Sequence, residues 1–78
     1  MKEKTLYDIF AIAIEKEREA QKLYDQAAKL SGDNELLRKR FIRFRDDEKK
    51  HEEALIKDYA EFKKIIRGKD KGENPSNT

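Results

Sequence analysis

The stretch "SGDNE", Ser31–Glu35, is the only break in a chain that otherwise runs from Thr5 to Arg67 without glycine or proline. Gly32 can take the left-handed conformation that ends a helix, and Asp33 or Asn34 can cap the next helix with a side-chain oxygen. Upstream, Leu6, Phe10, Ala13, Ala20, Tyr24 and Ala27 recur in steps of three and four, or seven across one gap, which is the seam of an amphipathic helix. Downstream, Leu37, Phe41, Phe44, Leu55, Tyr59, Phe62 and Ile66 repeat the pattern, again with one gap. Two such helices joined by about four residues should fold back as an antiparallel hairpin. The hairpin is expected over residues 1–67. The polar segment "GKDKGENPSNT", residues 68–78, has no apolar anchor and reads as a disordered tail.

Composition fits this all-α class. Of the 78 residues, 46% are charged and 36% hydrophobic, which suits long solvated helices more than strands and turns. The absence of cysteine excludes disulfides, cysteine-ligated zinc and a rubredoxin-like iron centre. With no apolar run near the ~20 residues of a membrane span and no signal-peptide pattern in "MKEKTLYDIF", a cytoplasmic protein without a membrane partner is expected. The 19 basic and 17 acidic residues nearly cancel. "RKRFIRFR", Arg38–Arg45, therefore reads as a solvated face laced with ion pairs, with its phenylalanines on the seam, and nucleic acid is not expected as a partner.

A lone hairpin covers one stripe per helix, yet each helix carries more. Ile9, Ile14, Leu23 and Ala28 flank the first seam, and Ile42, Ile56 and Ile65 flank the second. Two hairpins packed into a four-helix bundle would cover these residues, so a homodimer or higher oligomer is expected.

The gaps in both seams are filled by polar groups. Glu17 completes the first series, and Glu48 with His51 completes the second. Glu17 lies roughly 20 Å below the loop and Glu48 roughly 21 Å at ~1.5 Å per residue, so the two share a level, and His51 is less than a turn further on the same face. A buried carboxylate without a partner costs several kcal/mol, so these groups must be neutralised, paired or bound to metal. One glutamate from one helix and Glu-x-x-His from the other, doubled by a two-fold, give four carboxylates and two imidazoles. That set can hold two divalent ions, iron or manganese.

Two segments resemble a known family. "EREAQKLYDQAA", with Glu17, Ala20 and Tyr24, looks like the first metal-binding helix of rubrerythrins and related ferritin-like proteins, and "RFRDDEKKHEEAL" looks like the second. The similarity covers about Ile9 to Phe62 in a single hairpin, the form found in encapsulated ferritins, which build their site across a subunit interface. The resemblance implies a ferritin-like four-helix bundle of two hairpins. It also implies a di-iron site with Glu17, Glu48 and His51 as metal ligands, Tyr24 beside it, and ferroxidase activity, the oxidation of ferrous iron by oxygen or peroxide. Rubrerythrins also carry a cysteine-rich electron-transfer domain, so peroxide reduction by this chain would need an external electron donor. Encapsulated ferritins end in an apolar targeting segment, which "GENPSNT" does not resemble. Glu52, one turn beyond Glu48, is a candidate further ligand, and Tyr24 is a candidate hydrogen-bond partner of a ligand carboxylate.

The rival reading is a structural or interaction hairpin whose inner polar layer sets register and holds no metal. Within it, His51 is a histidine paired with Glu17, and Glu48 is left without a role.

Overall fold

The computed structural model describes residues 5–70, which form two antiparallel helices, α1 over Leu6–Leu30 and α2 over Glu35–Asp70. Thr5 starts α1 with a reciprocal cap: the Asp8 N–H donates to Thr5 Oγ1 at 3.1 Å and the Thr5 N–H donates to Asp8 Oδ2 at 3.0 Å. At the other end the Ser31 hydroxyl donates to the Ala27 carbonyl at 2.8 Å. Gly32 then turns the chain at φ +56°, where a side chain would meet no atom within 4 Å but would strain the backbone. Asn34 caps α2, its Oδ1 accepting the Leu37 N–H at 3.1 Å. The helix therefore restarts after a four-residue turn, and the chain doubles back as the sequence predicts.

Aromatic rings fix the alignment of the helices at both ends of their contact. Near the open end, Phe10 stacks on Tyr59 at 5.1 Å between centroids and packs on Phe62 at 5.4 Å, while Tyr7 meets Phe62 edge-on at 5.2 Å. Near the turn, Tyr24 packs against Phe44 at 5.5 Å and Phe41 at 6.4 Å. Such pairs each add about 0.5–1.5 kcal/mol beyond their buried area. The polar level lies between these two clusters.

The contact stripe on α2 differs from the expected one. Phe41, Arg45, Glu48, Glu52, Leu55, Tyr59, Phe62 and Ile66 face α1 at least half-buried, whereas Phe44 and His51 stand on the exposed flank. An apolar series cannot detect Arg45 or Glu52, because both are charged. They are accepted in the seam because α1 offers partners at their level, described below. On α1, Ile14 and Ala28, expected to stay wet in a single hairpin, are the two buried residues. Ile42 is half-buried, and Ile9, Leu23, Ile56 and Ile65 remain exposed as anticipated.

The Cα trace extends only 9 Å along its shortest axis, so the hairpin is one layer thick and has no enclosed core. Its two broad faces differ. Glu17, Tyr24, Phe44 and His51 look toward one face, with Ile9, Ala20 and Leu23 on the same side by helical spacing. Arg18, Gln21, Asp25, Arg45 and Glu52 meet on the other.

The helix runs to Asp70, three residues past the end expected at Arg67, because Gly68 near a helix terminus lowers helix propensity without breaking hydrogen bonds. The rest of the expected tail, residues 71–78, lies outside the described residues. Among the described residues no helix is long and apolar enough to cross a membrane.

Candidate metal centre

The hairpin brings together Glu17, Glu48 and His51, one potential ligand atom from each lying within 4.8 Å of the others. Glu48 and His51 are neighbours because they stand three apart on α2, and Glu17 reaches them from α1 at the level that both aromatic clusters fix. His51 Nδ1 is 3.0 Å from Glu48 Oε1 and 3.8 Å from Glu17 Oε1. The two carboxylate side chains are 24% and 23% exposed, while His51 is 61% exposed. The glutamates therefore belong to the hairpin seam, and the imidazole caps them from the open face. The expectation that all three point inward holds for the carboxylates and fails for His51 within a single hairpin. The group lies on an open surface, with no cavity among the described residues.

Two carboxylates this close cannot both ionise at low cost. The Glu17 carboxyl is pushed above its ordinary range, first because it hydrogen-bonds Glu48 in its protonated form, then through burial and the neighbouring negative charge, with His51 pulling the other way. Glu48 is held below the ordinary range, chiefly because its carboxylate accepts that bond, with His51 assisting. Of the two, Glu17 is the carboxylate that takes up a proton first as pH falls.

A pH dependence follows. Glu17, whose folded pKa is raised, binds more protons folded than unfolded in the window just above its ordinary value, so acidification from neutral pH through its raised pKa stabilises the metal-free fold. Glu48, with a depressed folded pKa, contributes stability that is lost as pH falls further through that value. Metal-free protein should be more stable in mild acid than at neutral pH, and Glu17→Gln should remove that gain. Thermal melts of both proteins across this range test the upward shift of Glu17, and identical profiles would count against it.

Glu52, the candidate further ligand, is engaged elsewhere. Arg18 Nε donates to its Oε2 and Gln21 Nε2 to its Oε1, both at 2.7 Å, on the face opposite His51. At 16% exposure it is more enclosed than Glu17 or Glu48, and the Gln21 and Arg18 hydrogen bonds hold it ionised, below the ordinary carboxylate range. Arg45 is likewise tied, donating to Asp25 at 2.8 Å and to Asp46 at 3.0 Å. Arg38 and Lys39 pair with Glu35 at 3.9 and 3.5 Å, so three of the five basic residues of "RKRFIRFR" are ion-paired among the described residues. Tyr24 packs on Phe41 and Phe44, and among the described residues its hydroxyl makes no hydrogen bond to Glu17, Glu48 or His51.

Arg18 and Gln21 escaped the sequence reading. The available signal was opposite charge at matched height: Arg18 stands beside Glu17 and Glu52 one turn past Glu48, a cross-helix pair that hairpin alignment makes inevitable.

No family model matches this chain, and no curated protein or solved structure matches it.

Proposed function

We propose that this chain is a ferritin-like iron-binding protein, with a di-iron site formed where two hairpins pack face to face, and that it oxidises ferrous iron. The observation that carries the reading is the grouping of Glu17, Glu48 and His51 on one face of a hairpin too thin to enclose them.

The donors fit the ion. The three candidate donor atoms lie within 4.8 Å of one another, so small side-chain rotations would bring them onto one ion. Two carboxylate oxygens and one imidazole nitrogen suit iron or manganese better than soft metals. Three protein ligands leave such an ion under-coordinated, and a second hairpin with its own three would let carboxylates be shared between two ions while covering the exposed apolar flank. Ferrous iron held there would be oxidised to ferric, each of the two ions giving one electron to oxygen or peroxide. With both carboxylates ionised, Glu17 and Glu48 would supply the negative charge that favours ferric over ferrous iron. His51 brings a neutral donor, and its Nδ1 already faces the carboxylates. Reuse of the same iron for peroxide reduction would need an external electron donor to return it to the ferrous state.

The metal-free rival has its own support: Arg18, Gln21 and Glu52 form a satisfied polar layer that sets helix register. That layer accounts for Glu52, not for the grouping of Glu17 and Glu48 with His51.

His51→Ala should slow ferrous oxidation by at least about tenfold, since even groups supporting a metal from outside its ligand shell are worth 10–100-fold. Stopped-flow absorbance of ferric product tests this, and an unchanged rate would remove His51 from the site.

A further inference from the structure

We propose that the face opposite the Glu17, Glu48 and His51 group binds duplex DNA through its phosphate backbone, without reading sequence. The inference needs none of the metal chemistry.

The near balance of charge along the chain, from which no nucleic-acid partner is expected, hides a division between the two broad faces. Three-four spacing puts Arg18, Lys22, Asp25 and Lys29 on this face of α1, and Arg38, Arg45, Lys49, Glu52, Lys63 and Arg67 on this face of α2. The metal face has Lys16 and Arg40 among Glu17, Asp47, Glu48 and Asp58.

The acids of the basic face are already held. Glu52 accepts from Arg18 at 2.7 Å and Asp25 from Arg45 at 2.8 Å, while Glu35, at the start of α2, pairs with Lys39 at 3.5 Å. Arg18 reaches Glu52 through Nε alone, so among the described residues both terminal nitrogens of its exposed guanidinium lack a hydrogen bond. Lys22, Lys29 and Lys49 are exposed and form no ion pair among the described residues.

These cations stand in matched rungs. Arg45 meets Asp25 and Tyr24 packs on Phe41, so Lys29 lies level with Arg38, Lys22 with Arg45 and Arg18 with Lys49. At ~1.5 Å per residue the three rungs are roughly 10 and 6 Å apart, and Lys63 and Arg67 extend the α2 row to roughly 43 Å. The two rows are set apart by the packing of the helices, about 8–10 Å. Two helices side by side, each ~10 Å across, are too broad for the ~12 Å major groove. The hairpin lies instead on the outside of the duplex, with its two rows over the backbones that flank the ~6 Å minor groove. Contacts then fall on phosphates, which position a protein and carry no sequence information.

The apolar residues of the face favour a duplex over lipid or a single strand. Of the large exposed apolar residues only Tyr7 and Ile56 lie on this face, while Leu23, Leu30, Leu36, Phe44 and Ile65 lie elsewhere. A bilayer surface requires an apolar stripe to bury beneath the cations. Single strands are held by stacking on open aromatic rings, and Tyr7 is packed edge-on against Tyr59 and Phe62. A duplex asks only for cations, offering one negative charge per ~1.7 Å of its axis.

Fluorescence anisotropy of a labelled mixed-sequence DNA duplex of about 20 base pairs, titrated with metal-free protein at several salt concentrations, should give a log–log slope of about −4, as for four to five phosphates. Lys22→Ala/Lys49→Ala should weaken binding at least about tenfold and make the slope shallower by about 2. Lys16→Ala/Arg40→Ala removes the same charge from the metal face and should leave affinity and slope unchanged. Alanine favours helix at these exposed positions, circular dichroism checks the fold, and Lys22→Gln/Lys49→Gln replaces a pair that loses it. Equal weakening by both pairs, or no salt-dependent binding by the parent, overturns the proposal. Tighter binding at the same salt to phosphatidylserine vesicles, to polyglutamate or to the single strand of the same sequence overturns it as well.

Discussion

Ferrous or manganous ion should raise the melting temperature of the protein by roughly 10–20 °C when free metal exceeds its dissociation constant about a hundredfold. The estimate combines about 2.7 kcal/mol of mass-action stabilisation at that ratio with about 4–8 °C per kcal/mol for a domain of this size. The size of the effect reflects how little holds the hairpin alone. Ile14 and Ala28 are its only buried apolar residues among those described, while Leu23 is 63% exposed. Glu17 and Glu48 meanwhile crowd each other, which raises the Glu17 carboxyl above its ordinary range. On the proposed reading metal would relieve the carboxylate repulsion and tighten the contact between two hairpins, so a particle of twice the 9.3 kDa chain should persist to lower protein concentration. Melts with and without metal, with calcium as the control, measure this. An unchanged melting temperature and mass would count against a metal in the core.

Glu17→Ala should separate chemistry from packing. It removes one of two carboxylates crowded on a partly covered face, so the metal-free variant should be as stable as the parent at neutral pH or more so, in line with the neutral or favourable outcome of replacing buried charge by apolar groups. Its metal affinity should nevertheless fall by more than about 100-fold, beyond the range for groups that merely support a ligand. A polar layer that only set register would behave in the opposite sense, with the variant unfolding more easily. Denaturant titration of both metal-free proteins gives the stability difference directly. Arg18→Ala provides the contrast: it strands Glu52, which is tied to Arg18 and Gln21 at 2.7 Å, and should destabilise the hairpin while sparing the metal ligands.

The fold was legible because its signals are local. Gly32 and Asn34 mark the turn, and the aromatic residues at three-four spacing mark the contact stripe, so both helices and their pairing follow from composition and period. The levels of Glu17 and Glu48 also followed, since a short turn fixes height by counting residues. What did not follow was the rotation of α2. Phe44 and Arg45 compete for one seam position, as do His51 and Glu52, and hydrophobicity favours Phe44 while pairing across the hairpin favours Arg45 and Glu52. Asp25, Arg18 and Gln21 settle that competition, and their influence exists only once the helices are side by side. His51 moved to the face as a result. The helix past Arg67 went unseen for a simpler reason: Gly68 reads as a stop in sequence, while a terminal turn tolerates it.

The central claim is that Glu17, Glu48 and His51 from two chains hold a pair of iron ions, and anaerobic ferrous titration with bound iron counted per sedimenting particle tests it most directly. The account predicts saturation at one iron per chain in a particle of twice the chain mass, and loss of that stoichiometry in Glu48→Ala. Saturation below about one iron per dimer, or the same stoichiometry in Glu48→Ala, would contradict it.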